Sequence, residues 1–152
     1  MENNSKTSKM AGRRENRVAA MQFLYMQILS GATLGDDLVE FFSTKEHERA
    51  YYAFADELIA GVNANLESIE SQISKYATNW SIERIAKVDL AILRMAIFEL
   101  CHREDIPPIV SINEAIDLAK TYSSAESKRF INGILDRVKT TLNRPLRAPA
   151  KK

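Results

Sequence analysis

The residues best placed to do chemistry lie near the C-terminal end, in Lys128-Arg129-Phe130-Ile131-Asn132-Gly133-Ile134-Leu135-Asp136. Ile131, Ile134, Leu135, Val138 and Leu142 recur at helical spacing and define an inner stripe. With Ile131 at its centre, Phe130 falls about 100° round the helix, and Glu126, Arg129, Gly133 and Arg137 lie beyond it on the solvent side. An aromatic ring at the edge of a basic, solvated face suits single-stranded RNA. The ring stacks a base and a guanidinium takes a phosphate. Taken alone, Phe130 reads more readily as boundary packing, because aromatic side chains mostly serve cores. Arg13, Arg14 and Arg17 form the second candidate. Cations near a helix N-terminus oppose the macrodipole by roughly a few tenths of a kcal/mol each. Helix stability gives no reason for them there; an anionic partner does, and a solvated basic end is the plainer alternative.

Catalytic groupings are nearly absent from the sequence. His47 and His102 sit in unrelated segments with no Cys or carboxylate at ligand spacing, so neither a metal site nor a cofactor is expected. There is no glycine-rich phosphate loop and no nucleophile elbow, and five glycines leave little room for either. Cys101 ends the most hydrophobic stretch and reads as a core residue with an inert thiol. No catalytic residue is assigned.

The net charge of +1 hides a division. Residues 1–17 carry +3 and residues 137–152 carry +6, which leaves −8 on the segment between them. Basic ends on an acidic body suggest a polyanion reached through the ends, although basic tails also serve solubility. At 152 residues, 45% hydrophobic and 27% charged, the chain fits one domain or two small subdomains sharing a core. No run of about 18 apolar residues is present, so no membrane span is expected. A single cysteine fits a reducing cytosol, and a cytoplasmic location is expected.

Periodicity is helical throughout, which makes the chain all-α. Residues 1–11 read as a disordered basic tail. A first helix is expected from Arg13 to Leu29, with Val18, Met21, Tyr25, Ile28 and Leu29 inward and Gly31 just past its end. A short segment follows from Gly35-Asp36 to Phe42. Ser43 and Glu46 stand at capping-box spacing and predict a helix to about Val62, with another over 64–76. Lys87 to His102 is apolar almost all round, interrupted only by Asp89, Arg94 and Glu99, and reads as a central buried helix in which Val88, Ile92, Ala96 and Leu100 are inward. Pro107-Pro108 turns the chain. Ser111–Glu114 and Ser123–Glu126 are further capping pairs, predicting two last helices. On the first of these, Asn113, Glu114, Asp117, Lys120 and Thr121 form the polar face. Pro145 and Pro149 close the ordered part, leaving 143–152 as a basic tail.

Three of these stretches resemble the NusB family of transcription antitermination factors: Val88-Asp89-Leu90-Ala91-Ile92-Leu93-Arg94, Ser111 to Lys120, and Phe130 to Asp136. Ala20-Met21-Gln22-Phe23-Leu24-Tyr25 adds to them, and residues 31–79 match only in pattern. The resemblance implies a compact all-helical fold of about seven helices over residues 12–142, in two packed subdomains of about 12–78 and 79–142. It implies a bacterial, non-enzymatic RNA-binding protein. It further implies binding to the boxA element of nascent transcripts, notably those of ribosomal RNA operons, as a heterodimer with NusE, a small-subunit ribosomal protein, within the polymerase antitermination complex. By the same resemblance, RNA contacts are expected on Arg13, Arg14 and Arg17 and on Glu126, Lys128, Arg129 and Phe130, and the partner-facing surface on Tyr25 and Asp89. Glu15 interrupts the first basic cluster, and Val18 stands where the family often has glutamate. A protein-only helical adaptor is an alternative. So is a non-catalytic relative of the RNA-binding domain of ribosomal RNA cytosine methyltransferases. Self-association of the free chain is left open.

Overall fold

The computed structural model describes the backbone of residues 2–150 and the side chains of residues 12–150. Seven α-helices follow one another: α1 Glu2–Ser30, α2 Asp36–Ser43, α3 Ala53–Ala64, α4 Leu66–Tyr76, α5 Lys87–His102, α6 Pro108–Tyr122 and α7 Ala125–Thr140. Short 3₁₀ turns at Arg49–Tyr52 and Ile82–Arg84 lead into α3 and α5. No strand occurs among the described residues.

Helix α5 lies at the centre, with α1, α3, α4, α6 and α7 packed round it. Its sequence dictates this place, since eleven of its sixteen residues are buried. Ile92, Ala96 and Leu100 are almost wholly enclosed, as the pattern predicts, while Val88, nearer the helix start, is only partly covered. One continuous hydrophobic cluster runs from Ala19 in α1 to Val138 in α7.

Helix α1 reaches back to Glu2, beyond the expected start at Arg13, where the sequence suggests a disordered tail. No proline interrupts residues 2–11, and an established helix propagates at one hydrogen bond per residue added. The inner stripe of α1 also differs from expectation. Met21 is buried and Val18 and Ile28 pack against the core as expected, but Tyr25 and Leu29 are exposed, and Ala19, Ala20, Phe23 and Leu24 are buried in their place. The helix is covered on two sides, by α3 and by α5, so a single-stripe reading places the seam wrongly. Gly31 ends it at φ +70, donating its amide to Gln27 O, as the glycine rule predicts.

The three capping-box predictions fare unevenly. Ser43 ends α2 and donates to Glu40 O, and no helix begins there. Instead α3 starts ten residues later, and Asn16 of α1 caps its first turn from a distance: Asn16 Oδ1 accepts from the Ala55 amide at 2.9 Å. Ser111 lies inside α6, because Pro108 begins that helix. A missing amide costs nothing in the first turn, and proline's fixed φ suits it. The third pair is one residue out. Ser124 is the N-cap of α7, accepting from the Ser127 amide at 3.1 Å.

Glycine is needed at one close approach between helices. A methyl group added at Gly61 of α3 would clash with Cζ at the tip of the Phe98 ring of α5, so the ring would have to move. That ring is in turn stacked on His102 at 5.6 Å. Gly61→Ala should therefore cost about 1–3 kcal/mol through overpacking, read as a lowered urea midpoint with unchanged slope. An unchanged midpoint would mean that α3 and α5 are further apart than described.

The C-terminal residues are tied to the fold. Arg144 donates to the carbonyls of Ile106 at 2.8 Å and Leu100 at 2.9 Å, and the Ile109 amide donates to Leu146 O at 3.0 Å. Arg144 thus covers carbonyls at the end of α5 and is not a free cation of the tail.

Candidate nucleic-acid interface

The site is built on the start of α7. Ile131, Ile134, Leu135 and Val138 are buried and fix the helix roll. That roll leaves Glu126, Arg129, Gly133 and Arg137 exposed and Phe130 half-buried at the boundary, as the periodicity predicts. Phe130 packs partly against the core and also lines a surface cavity of about 320 Å³. Packing and ligand contact are thus compatible for this ring.

The turn before α7 is held by Asp89, in the first turn of α5. Its Oδ1 accepts from Ser123 Oγ at 2.7 Å and its Oδ2 from Ser127 Oγ at 2.6 Å. Asp89 is only 4% exposed. It therefore does not share an open surface with the 38% exposed Tyr25, contrary to the expectation of a joint partner-facing patch. A carboxylate with both oxygens engaged near the N-terminus of α7 is stabilised by hydroxyl donors. Its structural effect is to clamp the α6–α7 corner.

The three arginines of α1 behave differently from one another. Arg17 is buried, donating from Nε and Nη2 to Glu99 at 3.0 and 2.8 Å, while Ser111 Oγ donates to the same carboxylate at 2.8 Å. It cannot reach an RNA, and the expected contact at Arg17 is replaced by an internal ion pair. Arg13 is half-buried, stands 4.6 Å above the Phe54 ring and lies 3.8 Å from Asp105. Burial pulls its pKa below the ordinary arginine value, with Asp105 opposing the shift. Arg14 is open to solvent and forks onto Glu114 at 3.0 and 3.2 Å, with Asp117 at 3.6 Å. The hydrogen bond to Glu114 raises its pKa. An exposed pair of this kind is weak, roughly 0–1 kcal/mol, so a phosphate can replace Glu114. The anions that the placement of these arginines calls for are thus supplied first by the chain itself. Glu15 accepts from Tyr51 OH at 2.8 Å and approaches His47 Nε2 at 3.1 Å, which gives it a structural use within the basic cluster.

Most cations near α7 present the opposite picture, whereas Lys139 in its last turn pairs with Asp136 at 3.5 Å. Arg84, Arg129 and Arg137 form no ion pair among the described residues, and neither does Lys128. Arg84 precedes α5, and its place with Glu126 and Phe130 of α7 round one surface cavity was not read from the sequence. Helix α6, carrying Glu114, lies between the Arg14 end of α1 and α7. Of its expected polar face, Asn113, Asp117, Lys120 and Thr121 are exposed, while Glu114 is half-buried under Arg14.

Cys101 is exposed rather than in the core, at the outer side of the last turn of α5. Desolvation still pushes its thiol above the ordinary cysteine value, against the lowering effect of nearby Arg144, and so keeps it a poor nucleophile. Among the described residues no group of three or more His, Cys, Asp or Glu side chains could hold a metal ion, and no helix is long and apolar enough to cross a membrane.

Fold and site together define a seven-helix protein with a ring-and-cation face on its last helix. Residues 14–140 match the NusB family, and the chain belongs to it. It is 44% identical over 142 residues to the transcription antitermination protein NusB of Geotalea uraniireducens, covering 88% of this chain and 97% of that one. It is also 44% identical over 130 residues to the NusB of Acetivibrio thermocellus, covering 84% and 88%. Among solved structures, T. maritima NusB superposes with a TM-score of 0.77 at 35% identity over 87% of this chain and 93% of its own. A NusB chain crystallised with NusE and double-stranded RNA gives 0.79 at 27% identity over 88% and 99%.

Proposed function

We propose that this chain is a bacterial transcription antitermination factor that binds the boxA element of nascent RNA together with NusE, notably in ribosomal RNA operons, and catalyses no reaction. The observation that carries this reading is the contrast in cation pairing. Acids of the chain engage the α1 arginines, while among the described residues Lys128, Arg129 and Arg137 of α7, beside the half-exposed Phe130 ring, are in no ion pair, and only Lys139 farther along that helix is paired, with Asp136. Unpaired cations bind phosphate without first breaking an internal pair, and the ring offers a stacking face to any base. Family membership and the NusB–NusE–RNA relative support the same conclusion. Such a factor works in the cytoplasm, where transcripts are made.

The contact set follows from accessibility. Phe130 stacks a base, Lys128, Arg129 and Arg14 take phosphates, and Glu126, which would repel phosphate, accepts from base amino groups. Arg13 contributes at the edge, and Arg17 acts only through the fold. Tyr25 is the exposed candidate for the protein partner. Asp89 serves either surface by fixing the α6–α7 corner.

Anisotropy of a labelled boxA RNA and of a scrambled control, over a salt series with and without NusE, tests the reading. Tighter binding to boxA, strengthened by NusE and falling steeply with salt, is expected. NusE binding without salt-dependent RNA affinity would instead make the chain a protein-only adaptor.

A further inference from the structure

Trp80 is the sole tryptophan of the chain, and it is 52% exposed in the loop between α4 and the 3₁₀ turn Ile82–Arg84. A large apolar ring left in water at a surface loop is poorly used by the fold. Its neighbourhood gives it a use. Trp80 and Phe130 both line the cavity of about 320 Å³, and both also line an adjoining groove of about 240 Å³. The two rings therefore border one cleft between the α4–α5 connection and α7. Arg84 stands at the first cavity and Arg129 and Arg137 at the second, none of them in an ion pair among the described residues. Of the two acids on the cavity wall, Asp89 is occupied by Ser123 and Ser127, and exposed Glu126 remains open to the amino group of a base. Aromatic rings, guanidinium groups and an open acceptor round one cleft are what a nucleotide of a single strand requires.

We propose that this cleft is a second base-binding subsite, in which Trp80 stacks a nucleobase of single-stranded RNA and Arg84 takes an adjoining phosphate. The RNA path then runs from α7 across the 3₁₀ turn 82–84. The subsite rests on the RNA reading above and adds Trp80 and Arg84 to it.

Because Trp80 is the only tryptophan, its emission reports on the subsite directly. Full-length protein is titrated with a short single-stranded boxA RNA while tryptophan emission and the anisotropy of the labelled RNA are followed together. Stacking should quench the emission along the same isotherm as the anisotropy. Trp80→Ala should weaken binding by about 5- to 150-fold, whereas Trp80→Phe, which keeps a ring, should lose much less. Arg84→Gln should retain the quench and flatten the salt dependence of log K by roughly 0.7. If Trp80→Ala does not fold, the wild-type quench and Arg84→Gln decide. RNA binding with unchanged emission and an unaltered Arg84→Gln slope overturns the subsite and leaves the α7 reading standing. Quenching by NusE alone, with no further change on adding RNA, makes the cleft a protein-docking face and also overturns it. If no RNA binds at all, both readings fall.

Discussion

Arg17→Ala should destabilise the fold by about 3–5 kcal/mol, because it leaves the Glu99 carboxylate buried without its cation. Arg17 and Glu99 are 3% and 1% exposed and are joined by two hydrogen bonds, so water entering the void could hydrogen-bond to the carboxylate but not supply the lost positive charge. Ser111 donates once to Glu99, which satisfies only part of a charged acceptor. The pair joins α1 to α5, and Ser111 brings in α6, so three helices lose a shared anchor. Domains of this size have only about 5–15 kcal/mol of net stability, so the loss should be plain in urea unfolding. Replacing both partners with apolar residues, as in Arg17→Met with Glu99→Leu, should recover much of it. That double variant also separates structure from RNA contact. It should bind RNA like wild type if Arg17 acts only through the fold. A loss below about 1 kcal/mol for Arg17→Ala would mean that the pair is solvated, which would reopen an RNA role for Arg17.

Ile92→Ala should cost about 2–5 kcal/mol through the lost methyl groups and the cavity left behind. Ile92 is fully buried on the central helix, against which α1, α3, α4, α6 and α7 all pack, so the surrounding helices have little freedom to close in. Urea unfolding and calorimetry should both show the loss. A change within about 0.5 kcal/mol, the range of surface substitutions, would contradict the central place of α5.

The helical class, the bounds of α5 and the inner stripe of α7 were legible because each rests on local periodicity. So was the polar face of α6. Features that depend on two distant segments were not. Asn16 capping α3 spans 39 residues and Arg17 pairing with Glu99 spans 82, and neither leaves a local pattern. Ser111 offered a false local signal, because its hydroxyl serves Glu99 and not a helix end. Asp89 reads as an exposed polar position on an otherwise apolar helix, yet Ser123 and Ser127 fold over it. Arg13, Arg14 and Arg17 look alike in the sequence. Only their neighbours distinguish a buried ion pair, a guanidinium over a ring and an open cation. Trp80 had a faint signal, as a lone tryptophan set among Thr78, Asn79 and Ser81, but its proximity to Phe130 is tertiary.

The central claim is that the outer face of α7 reads RNA, and the most direct test is the boxA affinity of Phe130→Ala measured with NusE present. Phe130 is half-buried at the helix boundary, so thermal unfolding of the same variant must confirm that it remains folded under the assay conditions. Loss of a stacked base should weaken binding by about 1–3 kcal/mol, while NusE affinity in the absence of RNA stays unchanged. A folded Phe130→Ala protein that binds boxA as tightly as wild type would place the RNA surface elsewhere on the molecule.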